Sequence, residues 1–556
     1  MANVAYRLTS SLEKCFWDQP VEDFPELRAG SALQGERYSF QLIWRGTDDR
    51  LDHKQVVFWR VESPLADAVS AQVVESVPVR FPAYKTRYDD DYLRREPGLY
   101  PDLMIPASHE KQLYIVYADT RSLWIDVEIP ENQPAGEYPI TLSLVTASGE
   151  EVFRDTFTLT VVGAQIPAQT VQHTEWFHAD CLADYYRIPV WSEEHWRIVE
   201  NFIACAAKNS VNMILTPVFT PPLDTAVGGE RTTVQLVDVC RENGGAWQFD
   251  FAKLGRWIDI LDRCGVQYIE ISHLFTQWGA GHAPKILATV DGEYKKVFGW
   301  ETDSLGEEYT EFLDQFLPAL LAWLKARGVD QRCVFHVSDE PHLDHLDQYR
   351  KVRAIMDKHL AGYYIMDALS KFEFYMTGAL PHPIPACNHI EPFLEAKIPG
   401  LWTYYCCSQG VGVTNRFLAM PGYRTRILGV QMFKYDIVGF LQWGFNFYNS
   451  QYSVNHIDPY HCNDGEYFVP AGDAFAVYPA PDGTAYETLH FRLVAAAMQD
   501  IRALALAEKL CGREAVMEAI DGGLEEKITF FSYPKNAQYL LGLREKINTM
   551  IADAIR

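Results

Sequence analysis

The sequence is short of basic residues. Its 49 Lys and Arg stand against 74 Asp and Glu, a formal charge of −25 with a pI near 5.1. A polyanion is held by clustered cations that displace its counterions, so this balance argues against a nucleic-acid partner. No Cys-x-x-Cys pair occurs among the eleven cysteines, whose number is odd and two of which, Cys406 and Cys407, are chain neighbours. Such a pattern fits reduced, mostly buried thiols in a cytoplasmic protein better than a disulfide framework. The opening Met1-Ala-Asn-Val-Ala-Tyr-Arg-Leu-Thr-Ser10 has no basic region followed by an apolar run, so no secretory signal is expected. No stretch approaches the length of a membrane span, and a membrane is not an expected partner. What is present is globular: 48% hydrophobic and 22% charged residues over 556 positions, enough for two or three domains.

Residues 1–165 read as strands. Ser39–Trp44, Gln55–Trp59, Trp124–Glu128, Tyr138–Val145 and Thr156–Val162 are β-rich, several alternate apolar with polar residues, and turn residues separate them at the intervals of a β-sandwich. Gly163-Ala-Gln-Ile-Pro-Ala168 breaks the pattern and reads as a linker. From about residue 170 strands and helices alternate. Eight strand-like runs, Thr174–His178, Asn212–Thr216, Gln267–Ser272, Val334–Ser338, Tyr363–Asp367, Ala386–Ile390, Leu401–Cys406 and Gly439–Trp443, alternate with amphipathic stretches such as the one that opens at Ser192, a candidate N-cap. The expected fold is therefore multidomain: a sandwich over 1–165, a (β/α)8 TIM barrel over 168–510, and extra C-terminal helices over 511–556 that pack on the barrel.

In such a barrel the chemistry sits at the C-terminal ends of the strands. The fourth run, Cys333-Val-Phe-His-Val-Ser-Asp-Glu-Pro341, ends in adjacent acids, Asp339 and Glu340. Adjacent carboxylates repel, so at least one pKa should rise, which gives an enzyme a proton donor beside an anion at neutral pH. The competing structural reading is that the acids favour the start of the helical Leu346–Leu360 stretch. Other strand ends supply Trp176, His178 and Asp180; His273 and Trp278; Asp367; Trp402, Tyr404 and Tyr405; and Trp443, Phe445 and Asn446. Aromatic faces beside hydrogen-bonding groups suit a pyranose, whose C–H face stacks while its hydroxyls need partners.

Several mechanisms remain open on the residues alone. A two-carboxylate glycosidase would pair Glu340 with Glu270 or Asp367 on a separate support; a substrate-assisted one, in which a 2-acetamido group attacks its own anomeric carbon, would use the adjacent pair. A metal hydrolase would draw on His178-x-Asp180, His342-x-x-His345 or His456-x-Asp458 with His461 and Cys462, none of which has a recognised three-ligand spacing. A non-catalytic carbohydrate-binding protein would keep Trp402 and Trp443 without needing paired acids.

Asp339-Glu340-Pro341, Trp402-Thr-Tyr-Tyr405, Thr414-Asn-Arg-Phe417, Gly439-Phe-Leu-Gln-Trp-Gly444, Gly472-Asp473 with Tyr478-Pro479, and His490-Phe-Arg492 occur in one order that resembles glycoside hydrolase family 123 and its wider relatives. The likeness covers most of the chain. It implies a retaining exo-β-N-acetylgalactosaminidase that works through an oxazoline, with a terminal N-acetylhexosamine of a glycan as partner and no metal or cofactor. By the resemblance Glu340 is the acid and then the base, and Asp339 orients the acetamide. The substrate-binding set expected from the motifs and strand ends is Trp402, Tyr404, Asn415, Arg416, Trp443, Asn446, His178, Asp180, Asp367 and Asp473. Tyr478-Pro479-Ala480 stands where Tyr-Pro-Gly is usual and His-Phe-Arg where Ser-Ile-Arg is commoner, departures that bear on sugar specificity rather than on the acid pair. A homo-oligomer remains open as a further partner.

Overall fold

The computed structural model describes residues 4–49 and 54–556; Met1–Asn3, the first residues of the opening read above for a secretory signal, lie outside the described residues. Period-two alternation builds the N-terminal region. In Thr120–Glu128, Leu123, Ile125 and Val127 face one core, while Trp124 and Asp126 face away from it. This strand is central in a five-stranded antiparallel sheet ordered Val4–Ser10, Arg37–Gly46, Thr120–Glu128, Val69–Val79, Gly98–Pro106. A second five-stranded sheet runs Ala29–Gln34, Glu151–Gln165, Gly136–Val145, Gln55–Glu62, Leu113–Ile115. Phe40, Leu42, Leu142, Leu144 and Phe157 close the core between them, with the Phe40 and Phe157 rings stacked at 4.2 Å. The linker expected at 163–168 is half strand, because Glu151–Gln165 continues through Gly163 with a register shift between Val162 and Gln165.

The outer face of the first sheet is covered too. Trp124 packs with Leu489 and Leu493 of the helix Leu489–Cys511, and Asp126 accepts from Arg492 of that helix at 2.6 Å. Arg492 also holds Glu487 at 2.8 Å, and all three side chains are buried. The two regions are thus joined through ionised groups that neither can leave unpaired.

Residues from Gln172 onward form a parallel sheet of seven strands ordered Tyr364–Ile365, Cys333–Phe335, Tyr268–Ile271, Met213–Thr216, Gln172–Glu175, Gly439–Gln442, Trp402–Tyr404. A short parallel pair, Asp367–Ala368 with Pro383–Ile384, continues from the first of these, and Ala386 bridges Tyr404 at the other edge. The sixth strand expected at Ala386–Ile390 is therefore displaced: Cys387–His389 is a 3-10 turn, and pairing falls on residues flanked by Pro383 and Pro385, whose carbonyl at 385 accepts from Tyr404 N–H and the Thr403 hydroxyl.

Helices alternate with the strands. Ser192 caps Glu193–Lys208 by accepting from His195 N–H, and Gly328, left-handed at φ 72°, ends Glu307–Arg327. The last helix, Ala537–Ala554, does not pack on the strand-and-helix region alone. Leu540, Leu543 and Ile547 join the core shared with Leu489–Cys511 and Trp124, while Arg544 pairs with Glu36 at 2.5 Å, so the helix wedges between the two regions. No helix of the described residues is long and apolar enough to cross a membrane.

Arg492→Met leaves Asp126 buried without its cation and Glu487 with only Lys208 at 3.4 Å, and the unfolding free energy should fall by about 3–5 kcal/mol in chemical denaturation. A change under about 1 kcal/mol would show that water, not the guanidinium, satisfies these acids.

Candidate active site

The fourth parallel strand stops at Phe335, short of the expected Ser338, and the acids sit on the loop that follows. That loop is pinned through its main chain. Val337 N–H donates to Asp367 at 3.0 Å, the Ser338 hydroxyl to Thr276 O at 2.9 Å, Glu340 N–H to Ala368 O at 3.0 Å, and Asp339 O accepts from Trp278 N–H at 2.9 Å. Neighbours on an extended strand point to opposite faces. Glu340 instead takes a left-handed φ of 43°, and both carboxyls line one pocket. A left-handed backbone costs a non-glycine residue of order 1–3 kcal/mol and persists where surrounding structure imposes it.

The pocket encloses about 820 Å³ up to its open mouth, within the range of small-ligand sites. Trp176, Trp278, Trp443, Phe447, Tyr452 and Phe468 give it aromatic walls, and Gln277, His178, Asp224 and the vicinal Cys406 and Cys407 add polar atoms. Each of the eleven cysteines is a free thiol. Tyr404 donates its hydroxyl to Glu340 Oε1 at 2.6 Å, and Gln277 Nε2 reaches Asp339 Oδ2 at 3.3 Å. Burial, and then the Glu340 charge beside it, push the Asp339 carboxyl far above the usual carboxylate range. The proton expected of an adjacent acid pair thus falls on Asp339.

Beneath the acids lies a closed polar floor. His336 bonds Glu270 at 2.7 Å and Asp367 at 3.2 Å, Trp176 Nε1 donates to Glu270 at 2.8 Å, and the Tyr349 hydroxyl donates to Asp367 at 2.6 Å. Burial opposes a charge on His336, but these two acids outweigh it and raise the imidazole to about 10. His273 stacks on His336 at 4.4 Å with both ring nitrogens unpartnered, and burial with the His336 charge keeps it neutral. Donor atoms of His273, His336 and Asp367 lie within 4.8 Å of one another, the spacing of a candidate metal centre, yet both His336 nitrogens already serve Glu270 and Asp367.

The expected site residues divide by position. Asp339, Glu340, Tyr404, Trp443 and His178 line the pocket. His178 accepts from Arg231 at Nδ1 and donates from Nε2 to Trp443 O, both at 3.0 Å; burial and then Arg231 lower it to about 3, so it is neutral. Seven others do not reach the pocket, and their expected contact with sugar is corrected to support. Trp402 is 1% exposed and lies against Gly439 so closely that a Cβ there would meet the indole at 2.1 Å. Asn415 ties down Cys406 O and Gln409 O, and Arg416 clamps Glu175 at 2.8 Å and Gly444 O at 2.7 Å. Asn446 pairs with the His178 backbone, Asp180 with Arg231, and Asp367 with the floor. Asp473 holds the Trp443 indole N–H at 3.0 Å from behind; burial raises its carboxyl to about 7. Glu270 and Asp367, the alternative nucleophiles, are fully buried in the floor. The metal motif His178-x-Asp180 is already occupied by the Arg231 guanidinium, and His461 pairs with Asp458 on the surface.

Asp224, Gln277 and Tyr452 are pocket residues that sequence reading missed. They lie in loops of no regular period, and only the rigid Thr220-Pro-Pro-Leu-Asp224 run, just past the second strand, marks one of them.

Paired acids in an aromatic-walled pocket beyond the ends of a parallel sheet define a glycoside hydrolase. Residues 176–507 match the family model described as Glycoside hydrolase 123, catalytic domain, and the chain belongs to that family. Among solved structures it is similar to a family 123 glycoside hydrolase from Clostridium perfringens, studied for glycolipid glycan hydrolysis, at 13% identity over 99% of this chain and 97% of that one with a TM-score of 0.70, which speaks to the fold. Likeness to XacCel5A, at 12% identity over 54% of this chain and 89% of that one with a TM-score of 0.29, carries no argument. No curated protein matches the sequence.

Because the folded-state pKa of His336 is raised from an ordinary 6.5 to about 10, the stability it contributes is complete below about pH 6.5 and lost as pH rises through about 10. The unfolding free energy should therefore decline across that window. His336→Gln should remove this part of the decline and cost about 3–5 kcal/mol by leaving buried acids unpaired.

Proposed function

We propose that the chain is a retaining, exo-acting hydrolase that removes a terminal β-linked N-acetylgalactosamine by neighbouring-group participation. The observation that carries this reading is that Asp339 and Glu340 share one pocket while Glu270 and Asp367 are locked beneath it. The acetamide oxygen attacks C1 as Glu340 protonates the departing oxygen; Asp339, made strongly basic by its surroundings, takes the amide N–H and helps the oxazoline to form. Water, deprotonated by Glu340, then opens the oxazoline and restores the configuration. Because burial and then the Glu340 charge raise the proton affinity of Asp339, the proton it holds passes toward its neighbour as the amide N–H approaches, and Glu340 becomes the acid. A pocket of this size with a Trp443 wall suits one terminal sugar. The galacto configuration comes from the family resemblance.

The architecture that supports this site is read as a (β/α)8 barrel over 168–510, with a β-sandwich over 1–165 and C-terminal helices over 511–556. Supporting it are the all-parallel strand order and the edge pairing at Asp367–Ala368 and Ala386. Free thiols throughout support the cytoplasm as the compartment.

A second reading rests on Asp224. As a third acid in the pocket it offers a two-carboxylate mechanism a nucleophile on a separate loop.

An aryl β-N-acetylgalactosaminide should be cleaved while the matching β-galactoside, which lacks the acetamide, is left intact; equal turnover of both would eliminate participation. Glu340→Gln should lose about 10²–10⁴-fold on substrates with basic leaving groups and much less on activated ones. Uniform loss across leaving groups would argue against its role as the acid.

A further inference from the structure

Beyond the second parallel strand, Met213–Thr216, the chain turns through Pro221 and Pro222 into Asp224. This residue is held from three sides. Its N–H donates to the Gln277 side-chain oxygen, and the same amide reaches Asp339 Oδ2 with its nitrogen. Its Oδ2 accepts from Tyr452 N–H at 3.0 Å, and its carbonyl accepts from the Ser453 hydroxyl at 2.7 Å. Asp224 and Tyr452 are both left-handed, at φ 39° and 59°. So are Trp278 at 59° and Glu340 at 43°, and all four line this pocket. Strain gathered around one cavity marks loops fixed for a purpose.

The carboxylate itself is only half used. Asp224 is 8% exposed, yet its Oδ1 receives no hydrogen bond from the described residues, and Arg231, whose charge acts on it, is already forked onto Asp180. That oxygen is not enclosed by protein but opens onto the pocket, and a carboxylate accepts hydrogen bonds without offering any, so a donor entering the pocket meets it. Burial accordingly lifts this carboxyl to about 6.

We propose that Asp224 is a specificity-determining residue of the pocket, accepting through Oδ1 a hydroxyl on the C3–C4 edge of the terminal sugar. The choice of edge rests on the substrate-assisted reading: Asp339 takes the C2 substituent, and Asp224 lies one glutamine amide away from Asp339, which in that reading sets it toward the ring carbons next to C2. A sugar without that hydroxyl leaves the carboxylate desolvated and unpaired, which penalises the wrong substrate more than the contact rewards the right one.

The purified full chain is assayed on an aryl β-N-acetylgalactosaminide and on its 3-deoxy, 4-deoxy and 6-deoxy forms. Asp224→Asn should lower kcat/KM on the parent by about 10–100-fold, the range for a hydrogen bond to a charged group. On the 3-deoxy or the 4-deoxy sugar the variant and the wild type should become equal, while the 6-deoxy sugar keeps the whole gap. The same loss on all three deoxy sugars, or none on the parent, overturns the proposal. So does recovery of Asp224→Gly by azide, because that result makes Asp224 the nucleophile. Should a variant not fold, the wild type suffices: it must discriminate against one of the 3- and 4-deoxy sugars by at least about tenfold more than against the 6-deoxy sugar, and equal discrimination overturns the assignment. Failure of the acetamide requirement appears separately, as turnover of the aryl β-galactoside, on whose deoxy forms the Asp224 comparison can be repeated.

Discussion

One backbone angle brings two acids together. Side chains of successive residues on a strand diverge, so an Asp-Glu pair carried by the strand itself would send one carboxyl toward the sheet interior or the helices. The chain leaves the sheet at Phe335 and turns left-handed at Glu340 while Ala368 and Trp278 hold its main chain, and the two carboxyls end in one cavity. Pro341 follows at once and withdraws a donor that could have carried the strand on. The high proton affinity of Asp339 follows from burial first and then from that enforced closeness.

Holding such a turn in place is the task of much of the remaining structure. Below it, a cationic His336 between Glu270 and Asp367 fixes the third, fourth and fifth strands against one another. Beside it, Asp473 and Arg416 brace Trp443 and Gly444 from behind. Support also reaches in from the N-terminal region: Asp89 pairs with Arg424 at 2.8 Å, Lys14 donates to Phe417 O and Leu418 O, and Ala471 N–H donates to Phe81 O. These contacts fall on the segments that follow the seventh and eighth strands, so the N-terminal sheets act as part of the scaffold of the pocket.

That scaffold explains why motif residues divided as they did. Asn415 and Arg416 stand in a run typical of the family and Asn446 at a strand end, and their chemistry looks suited to sugar, yet their side chains are engaged with backbone groups and a buried acid, with only Arg416 Nε left unpartnered. A planar guanidinium or an amide is equally good at binding a hydroxyl and at closing a loop. Trp402 is similar: an aromatic at a strand end packs inward when the adjacent strand offers a glycine to receive it.

Local patterning determined the parts that repeat. Period-two runs placed the N-terminal strands, strand-helix alternation placed the seven strands of the parallel sheet to within a few residues, and the Ser192 cap was readable because a cap is a contact over three positions. The acid pair was visible because its members are adjacent in the chain. What only the tertiary structure decided was which oxygen, ring or amide faces the cavity. Asp224, Gln277 and Tyr452 come from segments about 50 to 230 residues apart in loops without a period, and their meeting is fixed by hydrogen bonds between those loops. Orientation at a site is a long-range property, set by what lies behind each side chain, and no local pattern encodes it.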